Sequence, residues 1–328
     1  MKIGIMLDTN VGPIGRPAPT RQDVADYHQW FLECGRALDD TAVTGLFLPE
    51  RHGRTDCFSP APLELIAALA GVTTTPQLGT YVLMPPLYPP IALLERLAVL
   101  DHLSNGRLVI GVGAGFHPGY FAVHDRPMSG RGAALDHFLD LMDQGWSTGT
   151  VTHQGEDHYL LPPRQDPRPQ LWVGGASEPA VRRAARRGDA FGIGFTDQRI
   201  GRLLDVYHAE CEQVGREPRR ILIQSAWVRE EGDPEREVLE HLGETLGPEM
   251  TLYQEHGQLE AGGTITAERM LPYMYVGGVD QTAERLARDA ERFGVDEVVL
   301  RVHIGIPPRE AVRACLDHIA HDLAPALA

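Results

Sequence analysis

The sequence predicts an α/β fold: a single (β/α)8 barrel spanning residues 1–328, with an insertion at about 229–275, before the last helix–strand units. Three observations carry this. Eight short runs rich in Val, Ile and Leu are apolar on both faces, as strands buried in a parallel sheet are. Longer amphipathic stretches separate them, and repeated strand–helix alternation builds parallel β/α architecture. Eight such repeats in 328 residues favour a closed barrel over an open sheet.

The elements follow in order. Ile3–Leu7 is the first strand, and Asp23–Asp39 carries apolar groups at helical spacing. Thr44–Leu48 precedes the Ala/Leu-rich helix Pro62–Val72. Gln77–Leu83 precedes Ile91–Leu103, which sets Leu94, Leu97, Ala98 and Leu100 on one face after prolines suited to a helix start. Arg107–Val112 leads to helix Ser129–Trp146, Gln170–Val173 to Glu178–Arg187, and Ala190–Ile193 to Gln198–Val214. After strand Ile221–Val228 the rhythm breaks. The stretch up to Gln281 holds EGDPERE, Gly/Pro breaks and Ala261-Gly262-Gly263. A loop this long inside a compact domain is functional or partly helical, so it reads as an insertion with its own helices at the C-terminal rim. Helix Gln281–Phe293, strand Glu297–Val302 and helix Arg309–Leu323 complete the set. No linker divides the chain, and no low-complexity tract or internal repeat occurs.

Composition narrows the function. Hydrophobic residues are 43% and charged residues 23%, the balance of a globular protein with a large core. Acidic residues number 45 against 30 basic ones, a formal charge of −15. That field repels phosphate backbones and anionic membrane surfaces, so no nucleic-acid or membrane partner is expected. Cys34, Cys57, Cys211 and Cys315 form no C-x-x-C pair and read as reduced, buried thiols of a cytoplasmic protein. The N-terminus lacks the apolar core of a signal peptide, and no apolar run reaches the ~18 residues of a membrane span. No metal site is expected: His117, His124, His153 and His158 have no recognised ligand spacing. No G-x-S-x-G elbow supports a serine hydrolase.

Barrel enzymes keep their chemistry where strands end on the C-terminal face, so the residues after each strand matter most. Pro49-Glu50-Arg51-His52-Gly53 follows the second strand and groups an acid, a permanent cation and an imidazole able to move a proton. Leu83-Met84-Pro85-Pro86 follows the third, where Thr80-Tyr81-Val82-Leu83 stays apolar up to the rim, a surface on which a flat aromatic cofactor can pack. Gly111-Val112-Gly113-Ala114-Gly115 follows the fourth and is either a tight turn or a place of close backbone approach to a ligand. Gly174-Gly175-Ala176-Ser177-Glu178-Pro179 follows the fifth. Glycines, a small hydroxyl residue as N-cap and a proline in the first turn make a helix N-terminus suited to phosphate.

Together with Leu100-Asp101-His102-Leu103-Ser104-Asn105-Gly106-Arg107-Leu108, Leu171-Trp172-Val173, Gly277-Gly278-Val279-Asp280 and Gly294-Val295-Asp296-Glu297, these motifs resemble the luciferase-like monooxygenase superfamily. The resemblance runs from the N-terminus to the last helix, the insertion excepted. It implies a (β/α)8 barrel that binds reduced FMN, or alternatively the deazaflavin coenzyme F420. It places the ring on the rim after the third strand, with a cis peptide at Tyr81–Val82. It assigns cofactor binding to Tyr81, Val82, Gly113, Arg131, Gly174, Gly175, Ala176 and Ser177, with Ser177 and Arg131 on the phosphate. It assigns the chemistry to His52, Arg51 and Glu50.

Two positions depart from the family pattern. Ala114 stands where FMN-type members often carry a second phosphate arginine, and Arg51 stands in the slot after the acid that many members fill with His. The function implied is a monooxygenase taking reduced FMN from a separate reductase and O2 to a small organic substrate. The alternatives are F420-dependent hydride transfer and non-catalytic flavin binding. A homodimer is expected by analogy alone.

Overall fold

The computed structural model describes residues 1–194, 196, 199–259 and 264–328. Eight parallel strands close into a barrel: β1 (Lys2–Asp8), β2 (Gly45–Leu48), β3 (Gln77–Thr80), β4 (Leu108–Val112), β5 (Gln170–Gly174), β6 (Ala190–Ile193), β7 (Arg220–Val228) and β8 (Glu297–His303). Each pairs with its successor, and β8 returns to β1 in a register running from Lys2–Glu297 to Asp8–His303. The expected closed parallel barrel is the fold.

All eight expected strands and the helices between them are present, with ends shifted by a few residues. The first helix starts at Arg21 because Thr20 caps it. Its hydroxyl accepts from the Asp23 amide at 3.2 Å, and the Asp23 carboxylate accepts from the Thr20 amide at 2.8 Å. The helix after β6 runs over Ile200–Val214. Gln198, its expected start, and the Ala261–Gly263 break lie outside the described residues.

The third strand corrects the sequence reading. Expected to reach Leu83, it stops at Thr80, and the chain rejoins β4 through a Leu83–Val112 bridge. The Thr80 carbonyl oxygen lies so near Gly111 that a Cβ there would sit 1.9 Å from it. An antiparallel hairpin, Thr150–His153 with Glu156–Tyr159, was not foreseen. Its sequence, TVTHQGEDHY, has Val151 as its one aliphatic residue, and it folds because Val151 and the following Leu160 pack close to Gly145 on helix Arg131–Thr148.

The insertion supplies helix Pro234–Glu255, a short helix Ala267–Met270 and strand Tyr275–Gly277, which pairs parallel with the end of β7. Asp233 starts the long helix by accepting from the Arg236 amide at 3.1 Å, ahead of Pro234 at the first position.

Inside the barrel, Met6, Phe47, Val109, Trp172, Ile221 and Val299 form a packed layer. Phe47 stacks on Trp172 with centroids 4.8 Å apart. Three strand glycines make room for that ring. A Cβ at Gly4, Gly45 or Gly79 would lie within 2.9 Å of Phe47. All four cysteines are buried and unbonded. No described helix is long and apolar enough to cross a membrane. Among the described residues no group of three His, Cys, Asp or Glu is placed to hold a metal.

Candidate active site

A cavity of about 280 Å³ opens at the C-terminal ends of the strands, the end where this architecture carries function. Its wall beside β4 and β5 brings together a hydroxyl, a guanidinium and a tightly drawn backbone turn. Ser177 is the N-cap of helix Glu178–Arg187, in extended backbone, and its hydroxyl caps no amide of that helix. Arg131 begins helix Arg131–Thr148, the second helix after β4. Its Nε donates to the Gly115 oxygen at 3.0 Å, and its two terminal nitrogens have no protein partner among the described residues. Gly175 lies at φ +152°, and a Cβ there would sit 2.5 Å from the Ala180 Cβ. A backbone that tight against the first helical turn leaves no room for a side chain there, as a close approach to a ligand requires.

The floor is the β3 rim. The peptide bond between Tyr81 and Val82 is cis, where the resemblance places it. Tyr81 reaches across the barrel mouth to β5 and β6. A Cβ at Gly192 would meet its hydroxyl at 2.3 Å, and one at Gly174 at 3.0 Å. Burial raises the pKa of this phenol. Gly113 keeps the β4 loop flat over Val82, where a Cβ would come within 2.9 Å of Val82 Cγ2. Side-chain-free backbone beside an apolar rim leaves a slot for a flat ring.

The opposite wall, at the ends of β1, β2 and β8, is charged. Glu50 is buried and its oxygens are all engaged. They accept from the Met84 amide at 2.6 Å, from the Tyr88 hydroxyl, and lie 3.0 Å from His52 Nε2. Glu50 thereby ties the end of β2 to the loop after β3. His52 does not line the cavity. It sits behind Glu50 with its ring against Tyr120 and, at 4.4 Å, against His124. His124 is held below the usual imidazole range, first by burial and then by the neighbouring His52.

Arg51 points the other way, into a buried cluster of four charges. Its Nη2 donates to Asp8 at 3.2 Å and to Glu249 at 2.9 Å, and its Nη1 to Asn10 at 2.9 Å. Arg301 of β8 donates through Nε to Asp8 at 2.5 Å and through Nη2 to both Glu249 oxygens at 2.8 Å. Burial opposes ionising Asp8 and Glu249, but Arg301 and Arg51 outweigh it and hold both carboxyls below their usual range. Two cations and two anions sum to zero, and the multiple hydrogen bonds offset the desolvation that buried charges cost. His303 Nδ1 lies 3.6 Å from Asp8, too far for a hydrogen bond, and neither ring nitrogen finds a partner among the described residues. Burial first, then Arg301, pushes this imidazole down to about 4.

The roof comes from the insertion. Leu246, Met250 and Tyr253 of helix Pro234–Glu255 face the cavity, with Met270 and Met274 beside them. Glu249 fixes that helix to the barrel. At its far end Tyr253 meets Phe116 at 5.0 Å, and His256 stacks on His117 at 4.9 Å.

Of the residues expected from sequence, Glu50, Arg51, Tyr81, Val82, Gly113, Arg131, Gly174, Gly175, Ala176 and Ser177 line this one cavity, and His52 does not. Asp8, Arg301 and Glu249 were missed. A signal existed for two of them, since Asp8 and Arg301 are charges set directly after apolar runs in buried strands. Glu249, inside a helix of unremarkable polarity, had none.

The luciferase-like monooxygenase family model matches residues 1–297. An F420-dependent glucose-6-phosphate dehydrogenase of Amycolatopsis mediterranei is 25% identical, over 89% of this chain and 83% of its own length. The oxygenase component of a flavin-dependent trigonelline monooxygenase of Acinetobacter baylyi is 23% identical, over 90% and 88%. Among solved structures, the oxygenating constituent of 3,6-diketocamphane monooxygenase from Pseudomonas putida, in complex with FMN, superposes with a TM-score of 0.80. It is 18% identical and covers 100% of this chain and 99% of that one, a likeness of fold. With the barrel, the rim and the matched family model together, this chain belongs to the luciferase-like monooxygenase family.

Proposed function

We propose that this protein is a flavin-dependent monooxygenase that uses reduced FMN, delivered by a separate reductase, and O2 on a small organic substrate. The observation that carries the reading is the pairing, in one cavity, of the Arg131/Ser177 anion corner with the flat Tyr81–Val82 rim. The residues present fit the group. Arg131 has guanidinium nitrogens to spare, the Ser177 hydroxyl caps nothing, and the backbone at Gly113 and Gly175 is drawn in where a Cβ would collide. Arg131 and Ser177 would hold the phosphate, and Tyr81, Val82 and Gly113 would face the ring.

When bound, reduced FMN supplies the electrons that activate dioxygen. The chain supplies the surroundings. The roof of Leu246, Met250 and Tyr253 keeps water off the rim. Glu50 fixes the Met84 main chain and so the shape of that rim. Arg51 and Arg301 present guanidinium edges to the reacting side, held in place by Asp8 and Glu249. His52 reaches the cavity only through Glu50, so its role is to orient that carboxylate.

A second reading, F420-dependent hydride transfer on the same rim, is favoured by Ala114. No arginine stands there to add a second phosphate contact. One experiment separates the two. The apoprotein is titrated with reduced FMN and with reduced F420 under anaerobic conditions, following tryptophan fluorescence. Micromolar binding of FMN with none of F420, and oxygen uptake on admitting air with substrate, is the expected result. The reverse order of affinity overturns the FMN assignment, and binding of either without turnover of any substrate leaves a flavin-binding protein. The homodimer expected by analogy is checked by sedimentation of the same apoprotein.

A further inference from the structure

The substrate chamber is lined by two arginines, which at first sight invites an anionic substrate. The charges beside them say otherwise. Asp8 and Glu249, both fully buried, accept from Nη1 and Nη2 of Arg51 and from Nε and Nη2 of Arg301, so each guanidinium is balanced by a carboxylate beside it. Two of the four charges come from strand ends, one from the loop after β2, and one from the roof, so the neutral balance exists only with the insertion in place. Of the remaining charged groups on the cavity wall, Glu50 and Arg199 are committed to protein partners and Arg131 lies on the cofactor side. The Glu50 carboxylate binds the Met84 amide, Tyr88 and His52. Arg199 donates to the Gln258 oxygen at 2.7 Å. Arg131 belongs to the anion corner of the cofactor side.

Beside the cluster stand two neutral polar groups with capacity to spare. Ser225 has no hydrogen-bond partner for its hydroxyl among the described residues. Gln224 has one long contact, 3.4 Å to Thr196. The rest of that side is Met250, Met274, Leu246 and Tyr253.

We infer that Glu249 is a specificity-determining residue. It cancels the guanidinium charge of Arg51 and Arg301, so that the chamber takes a neutral, largely apolar molecule with one hydrogen-bonding group and rejects carboxylates. The assignment of this half of the cavity to the substrate rests on the function proposed above. The physical reason is desolvation. A carboxylate brought under the roof loses its hydration and finds no uncompensated cation, whereas a carbonyl or amide needs only Ser225 or Gln224. Removing the Glu249 charge leaves the cluster one positive charge in excess, which converts the same walls into an anion site.

The test uses the full-length apoprotein and two probes of one shape, benzamide and benzoate, followed by calorimetric titration at pH 7. Wild type is expected to bind benzamide at least tenfold more tightly than benzoate. Glu249→Gln keeps the size and hydrogen-bonding of the side chain. It is expected to gain at least tenfold in benzoate affinity, with benzamide unchanged within threefold. Equal binding of the two probes to wild type, or no gain in the variant, overturns the inference. Circular dichroism checks that the variant folds. If it does not, Arg301→Gln approaches from the other sign and is expected to gain affinity for benzamidinium. FMN titrated into the same variants separates this claim from the cofactor assignment. Unchanged FMN binding with the benzoate result absent sinks the charge argument alone. Absent FMN binding in wild type with the benzoate result present sinks the cofactor reading alone.

Discussion

The two long walls of the chamber are made in opposite ways. The anion corner is local in sequence. Gly174 to Ser177 are consecutive, and Arg131 opens the second helix after the neighbouring strand. Each piece is set by its own stretch of chain, with glycines allowing close approach and Ser177 and Arg131 each standing at a helix start. The charged wall is assembled from residues 8, 51, 249 and 301, which meet only when the barrel closes and the insertion folds over it. The first wall can tolerate change in the roof. The second cannot, because one of its four charges is in the roof. A wall built from local sequence binds, and a wall built from closure reports that closure is complete.

Four experiments test that contrast, in decreasing order of consequence. Arg131→Ala with Ser177→Ala removes the two side chains of the anion corner. Charged hydrogen bonds to phosphate contribute roughly 1.5–3 kcal/mol each, so FMN affinity is expected to fall by about 100-fold or more with unfolding unchanged. Titration gives the answer, and equal affinity in variant and wild type removes the phosphate assignment. Asp8→Ala acts on the other wall. It strips one partner from a buried ion cluster, which typically costs about 3–5 kcal/mol, so the denaturant midpoint drops at unchanged slope. A midpoint within experimental error of wild type means the cluster contributes no stability.

The third concerns His303, whose folded pKa of about 4 lies below its unfolded value. Between pH 6.5 and 4 the unfolded chain binds a proton that the folded chain refuses, so stability is present above that window and is lost as pH falls through it. The full loss is about 3 kcal/mol. His303→Gln is expected to flatten this part of the stability–pH curve, and an unaltered slope rules His303 out as its source. The smallest effect is expected at His52. Because it reaches the cavity only through Glu50, His52→Gln is expected to leave FMN affinity intact and turnover within tenfold. A loss of ~10²–10⁴, the scale of general acid–base catalysis, would put its ring at the reacting atoms after all.

The same contrast decides what could be read from sequence. The barrel was legible because apolar runs of period-free hydrophobicity alternate with amphipathic helices, and because each of those signals is local. The rim at Tyr81–Val82, the glycine turn and the Ser177 helix start were legible for the same reason. The hairpin at Thr150–Tyr159 was not, since TVTHQGEDHY gains its stability from the helix it covers. Nor was the orientation of Arg51 and His52. Adjacent residues at a strand end face opposite sides, and which side is the cavity depends on Asp8, Glu249 and Glu50 waiting there. Glu249 was the least legible. Its meaning depends on two arginines, about 50 and 200 residues away in the chain.

Tyr81 spans the barrel mouth because β5 and β6 offer glycines, at positions 174 and 192, where its ring would otherwise collide. Beneath it lies the packed layer of Phe47 and Trp172. On the proposed reading, a flat cofactor seated on the Tyr81–Val82 rim would lie at the bottom of the cavity, with the substrate above it under the roof. The product would then have to depart before the cofactor, and a slow-leaving product would hold the spent cofactor captive.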